Sequence, residues 1–181
     1  ATLFRLASEQ VKGLNRILRG RSQRFALIAE AAVRRILAAL ELPSACVLQS
    51  AGGRFVLLVP ALPDDKLGES VDALRRHFDA WLAHEYFGEL GLGLALGPAF
   101  ATGDLLDAER AARVFDDLQI AVETAKLRQL EGPAKEALVD VTYPKGACAA
   151  CGVRPARPDG PADGGRCRAC EAEHDLGRRW P

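Results

Sequence analysis

Two C-x-x-C pairs near the end of the chain constrain its fold more than any other feature. Cys148-Ala-Ala-Cys151 and Cys167-Arg-Ala-Cys170 are separated by fifteen residues. A C-x-x-C knuckle sets two thiolates at a spacing that one tetrahedral Zn²⁺ can share, and two knuckles close the site. The intervening stretch, with Gly152, Pro155, Pro158, Gly160, Pro161, Gly164 and Gly165, has almost no apolar content. It cannot build a core of its own, so a metal is expected to hold it together. A disulfide pair suits an oxidising compartment better than the cytoplasmic setting expected here. A thioredoxin-like redox motif lacks its βαβ context. With thiolates in all four positions, no coordination site stays open for catalysis, so the expected zinc is structural. His174 is the alternative fourth ligand to weigh, although a surface role suits it better.

The second constraint is Cys46 to Pro60. Apolar runs at Cys46–Leu48 and Phe55–Val59 flank a Ser-Ala-Gly-Gly tip, the pattern of a β-hairpin whose turn needs the positive φ that Gly52 and Gly53 supply. Strands apolar at nearly every position are expected to be central, with one or both faces covered, and Cys46 is expected to be inert core within them. Around the hairpin the periodicity is helical. Leu3 to Leu18 forms a first helix. Gly20 is expected to end it, and Ser22 to cap a second helix that runs to about Leu42 and stops before Pro43. Its stripe is Phe25, Ile28, Ala29, Ala32, Val33, Ile36, Leu37 and Leu40. A third helix is expected from about Lys66 to Phe87 and a fourth from about Ala108 to Leu130. Gly91–Phe100 alternates Leu with small residues, a strand period. Leu138–Tyr143 is a candidate for one more strand.

This order predicts an α+β chain, with helices on a mixed, mainly antiparallel sheet. A strand before Ala1 would complete a ferredoxin-like βαββαβ unit. The expected division is 1–137 for this domain and 138–181 for a small zinc-binding module of the zinc-ribbon kind. The chain contains no methionine, which leads us to expect a piece excised from a longer protein, with elements missing at both ends. No apolar run approaches the ~18–20 residues of a membrane span, and Arg5 and Glu9 interrupt anything like a signal peptide; the expected location is cytoplasmic.

Charge says less. Lys+Arg and Asp+Glu are both 24, so the balance points to no partner. The first forty residues are locally basic, a pattern that suits phosphate or simply a solvated helix face. Arg154, Arg157, Arg166 and Arg168 surround the cysteines and suggest nucleic acid, with Asp159 and Asp163 partly offsetting them. His77, His84 and His174 are scattered, the pairs Asp64-Asp65 and Asp116-Asp117 read as helix-end or solvated charge, and no phosphate-binding P-loop is present. No complete catalytic constellation emerges.

Three features in order carry a family resemblance: Leu18-Arg19-Gly20-Arg21-Ser22 opening a long helix, Ala51-Gly52-Gly53-Arg54-Phe55-Val56-Leu57-Leu58-Val59-Pro60 after it, and the cysteine pairs at the end. Over essentially its whole length the chain resembles the large, multidomain subunit of type III CRISPR effector complexes, particularly the III-A subtype. The resemblance implies the first of two cyclase- and polymerase-like palm domains followed by a zinc-binding module. The parent protein would synthesise cyclic oligoadenylates from ATP with Mg²⁺ or Mn²⁺, and many members add an HD nuclease. The hairpin resembles the Gly-Gly-Asp-Glu-Phe hairpin of nucleotide cyclases, but Gly53 and Arg54 stand where that pattern has its two acids. Neither can hold a divalent metal on a triphosphate, so this palm is expected to be non-catalytic and the piece alone inactive. An Arg there can instead face phosphate.

By the same resemblance, the acceptor-side nucleotide would meet Arg19, Gly20, Arg21, Ser22, Gly52, Gly53 and Arg54. The implied partners are the second palm of the parent chain, the other subunits and, indirectly, guide and target RNA. The alternatives are a scaffold module without nucleotide contact and an independent diguanylate-cyclase-like enzyme. The missing acids argue against the second.

Overall fold

A computed structural model describes residues 13–61, 66–128, 141–161 and 165–179. The chain is α+β, and two compact units divide it. One is built from Ala1–Leu58 and Asp140–Pro181, the other from Val59–Val139. The second unit thus begins just after the hairpin and ends at Val139.

In the first unit, helix α1 spans Leu14–Ala39 without interruption. The break expected at Gly20 and the cap expected at Ser22 are both absent. Gly20 lies inside the helix because a close neighbour, described below, occupies the space its missing Cβ leaves. The buried side of α1 is Ile17, Gly20 and Arg21 in its first half and Ala32, Val33 and Ile36 in its second. These are helical spacings that put each trio on one face. The helix ends in a Schellman arrangement: Leu42 N–H donates to Leu37 C=O at 2.8 Å and Glu41 N–H to Ala38 C=O at 3.4 Å, with Glu41 itself at φ 54°. Pro43 then prevents continuation.

A short 3₁₀ turn, Ser44–Cys46, leads into strands β1 (Val47–Ala51) and β2 (Arg54–Leu57). They pair antiparallel through a two-residue turn in which Gly52 and Gly53 have φ 61° and 78°. Positive φ at both central residues matches the right-handed twist of the flanking strands. Leu48 is the extra residue of a bulge between Val47 and Gln49. The hairpin is the whole sheet among the described residues, so the expected central, covered strands are not found. Leu48 is 50% exposed, and only Val47, Phe55, Val56 and Leu57 are half-buried. The reason is the missing neighbours. Gly91–Phe100, read as a strand from its alternation, is irregular, and residues 141–143 form no strand; 138–140 lie outside the described residues. Cys46, expected in a buried strand, sits in the 3₁₀ turn and is half-buried.

The cysteine module completes this unit. Its second pair leads into helix α2, Arg168–Arg179, which packs along α1.

In the second unit, helix α3 (Lys66–Tyr86) buries Leu67, Leu74, Phe78, Leu82, Ala83 and Tyr86. It ends as Phe87 and Gly88 turn left-handed, at φ 53° and 71°. The irregular stretch that follows is tied back to α3, where Arg75 Nη2 donates to Leu94 C=O at 3.1 Å. At Gly97 a Cβ would lie 3.2 Å from Leu118 Cδ1, so the small residues admit close packing on helix α4 (Ala108–Leu127) although they form no strand. Asp107 caps α4 by accepting from Arg110 N–H at 2.9 Å. On α4, Ala125 is buried, Leu118 and Val122 are half-buried, and Ala112 and Phe115 are exposed. Among the described residues, no helix is long and apolar enough to cross a membrane.

Candidate metal centre and the hairpin tip

The first C-x-x-C pair lies on a turn made by backbone pairing. Cys148 N–H donates to Arg154 C=O at 2.7 Å, Gly152 N–H to Cys148 C=O at 2.8 Å, and Ala147 bridges Pro155. Gly152 at φ 68° lets the chain reverse there. The second pair straddles the start of α2: Cys167 immediately precedes the helix and Cys170 lies in its first turn. The positive end of a helix favours thiolate there. In both pairs a backbone N–H points at the first sulfur, Ala150 N–H to Cys148 Sγ and Cys170 N–H to Cys167 Sγ, each at 3.4 Å.

All four cysteines are buried and free, and their sulfurs lie within 4.8 Å of one another. A tetrahedral ion with bonds of about 2.3 Å needs sulfurs about 3.8 Å apart. The set therefore fits a metal ion such as zinc with only small movements. Thiols this crowded do not titrate independently. Hydrogen bonding from Cys151, then from Cys167 and Cys170, drives Cys148 far below the ordinary thiol value; Cys170, facing Cys148 and then Cys151, is driven far above it. A metal ion such as zinc would resolve the conflict by holding all four as thiolates.

The centre is not an isolated appendage. Its sulfurs pack with Ala150 and with Ile17 of α1, which is fully buried; burying an isoleucine is worth about 1.5–3 kcal/mol. One turn further along, α1 and α2 cross at Gly20 and Gly177. A Cβ on Gly20 would stand 1.7 Å from Glu173 C=O, and one on Gly177 1.9 Å from Arg16 C=O. Beside the crossing, Arg21 Nε meets Glu173 Oε2 at 3.0 Å, both side chains almost wholly buried.

The sequence-derived nucleotide set is thereby distributed. Gly20 and Arg21 face α2 and the cysteines. Arg19 lines a cavity of about 800 Å³ with Gly13, Leu14, Arg16, Arg166 and His174. Ser22 is exposed on α1, while Gly52, Gly53 and Arg54 form the exposed hairpin tip. Among the described residues, nothing lies within 4 Å of a Cβ built on either tip glycine. His174 pairs with Asp175 and lines the cavity, outside the four-sulfur group. Of the arginines around the cysteines, Arg154 is buried with Nη1 3.8 Å from Cys167 Sγ, and Arg157 pairs with Asp159 and Glu171. Sequence reasoning missed Arg21 as a neighbour of Cys170 and Glu173 as the partner of Arg21, and it read Arg154 for nucleic acid rather than for Cys167. One signal was available: Gly177 in the interior of a helix, which is costly unless another backbone needs the room.

The fold and this centre define an α+β chain whose tetracysteine module is docked on its first long helix. A family model described as Csm1 subunit domain B matches residues 9–144. The chain belongs to that family, and is a piece of the large subunit of a type III CRISPR effector complex. The matched span ends before Cys148, so the metal centre stands on its own geometry. No curated protein matches the chain.

Proposed function

We propose that residues 1–137 are a degenerate, non-catalytic palm that helps form the two-ATP site for cyclic oligoadenylate synthesis, braced by a structural zinc module at 138–181. The observation that carries this reading is the hairpin tip. Its glycines leave the backbone open on the outside, and Arg54 follows directly where a catalytic hairpin would carry acid. A guanidinium there suits a triphosphate as a charge-assisted donor. The metal for chemistry, Mg²⁺ or Mn²⁺, would then be held by the second palm of the parent protein, and the guide and target RNA would act through the other subunits. A cytoplasmic location accords with this role.

The inward packing of Gly20 and Arg21 favours a second reading, a scaffold module of the effector complex without direct nucleotide contact. Calorimetric titration of ATP into the chain, alone and with the second palm added, separates the two. Under the first reading, binding in at least the paired sample weakens severalfold on Arg54→Ala. Equal binding by wild type and Arg54→Ala, or none in either sample, would leave the scaffold.

A further inference from the structure

We propose that Arg21 and Arg154 are the charge-compensating partners of the metal centre, so that metal affinity is set in part by α1, far outside the cysteine module in sequence. The inference rests on the four cysteines binding a divalent ion. Four thiolates around such an ion leave two negative charges in a site whose sulfurs are buried. Buried charge is costly unless paired. Two guanidiniums reach the sulfurs: Arg21 Nη2 lies 3.7 Å from Cys170 Sγ, and Arg154 Nη1 lies 3.8 Å from Cys167 Sγ. Both arginines are buried, at 5% and 6% exposure. They bring one positive charge to each half of the second C-x-x-C pair, Arg21 sharing its charge with Glu173.

Arginine suits this place better than lysine. Its planar fork reaches two acceptors at once and it is less strongly hydrated. Arg21 uses the fork in this way, with Nε on Glu173 and Nη2 on Cys170. Glu173 in turn fixes the orientation of Arg21, as carboxylates commonly do for groups around a metal. The other basic residues nearby are placed differently: Arg157 is engaged by Asp159 and Glu171, and Arg168 is exposed. Arg21 and Arg154 are thus positioning residues for the metal, acting through the sulfurs.

The test measures Zn²⁺ affinity of the whole chain by competition with a chromophoric chelator, together with the Co²⁺ spectrum, whose sulfur-to-metal band reports four-thiolate coordination. Wild type should bind one ion per chain; a wild type that binds none would overturn the metal reading itself, and the proposal with it. Given binding, Arg21→Gln and Arg154→Gln should each weaken Zn²⁺ by about 10–100-fold, the usual range for such neighbours, with Arg21→Lys in between. The discriminating variant is the double Arg21→Gln/Glu173→Gln, which removes the stranded carboxylate and restores a neutral pairing between the helices. It should regain only part of the affinity lost in Arg21→Gln and stay weaker than wild type, whereas Glu173→Gln alone should bind at least as tightly as wild type. Recovery of wild-type affinity in the double variant would mean that Arg21 serves only to join the helices, and would overturn the proposal.

Discussion

Replacing Gly20 by alanine sets two physical effects against each other with opposite signs. In an isolated helix interior, Gly→Ala gains roughly 0.8–1 kcal/mol from helix propensity. Here the added Cβ would stand 1.7 Å from Glu173 C=O, backbone that cannot rotate away. Ordinary contact begins near 3.4 Å, so α1 and α2 would have to part locally by about 1.7 Å. Overpacking of this kind typically costs about 1–3 kcal/mol. The same displacement stretches the buried 3.0 Å contact between Arg21 and Glu173, and losing one partner of a buried pair costs roughly 3–5 kcal/mol. Partial loss of that pair, with the overpacking and the propensity gain, leaves Gly20→Ala destabilised by about 3 kcal/mol.

Thermal unfolding of zinc-saturated protein, followed by helix circular dichroism, is the assay. At about 2–4 °C per kcal/mol for a chain of this size, the midpoint should fall on the order of 10 °C. Gly177→Ala should behave alike, and the double variant should cost less than the two combined, because one separation of the helices relieves both clashes. An unchanged or raised midpoint for Gly20→Ala would refute the close crossing.

Two further outcomes follow from particular contacts. Glu41 holds a left-handed backbone at φ 54° in the Schellman turn after α1, so Glu41→Gly should stabilise the chain by about 1 kcal/mol in urea unfolding. Asp159 is lowered from 3.8 to about 2, chiefly by its hydrogen bond from Arg157. A lowered carboxylate contributes stability that is present above pH 3.8 and is lost as pH falls through about 2. A carbon-detected titration of Asp159 should show the low value, and Arg157→Gln should return it toward 3.8.

Local pattern made three of the helices legible, because apolar residues recur at helical spacing along each and Pro43 marks where the first of them stops. It made the hairpin legible too, because two adjacent glycines between apolar runs leave few other turns. It failed at Gly91–Phe100. Alternation of Leu with Gly and Ala describes one small-residue face, and close packing on a helix uses that face as well as a sheet does; the contact of Gly97 with Leu118 decides for the helix. Covered strands were likewise overread, since apolar residues permit a central strand but only paired neighbours make one.

The centre divides in the same way. Four cysteines at C-x-x-C spacing announce themselves, because a metal ligand must be a particular residue at a particular interval. Their partners do not. In Leu18-Arg19-Gly20-Arg21-Ser22, a flexible glycine between two arginines has the look of a phosphate-binding turn, and nothing within the five residues says otherwise. What decides is material from the other end of the chain: a second helix glycine at 177, and a carboxylate at 173 that a buried arginine needs. Glycine in mid-helix is worth its propensity cost when another backbone takes the space of the missing Cβ. Arginine survives burial when two acceptors meet its fork. Each condition is tertiary, and both are met by one helix, α2, which also carries Cys170. The segment most suggestive of a nucleotide contact is thereby the one most tightly joined to the metal-binding module. The hairpin tip, whose two glycines have open space around them among the described residues, is left as the surface where the proposed function would have a phosphate met.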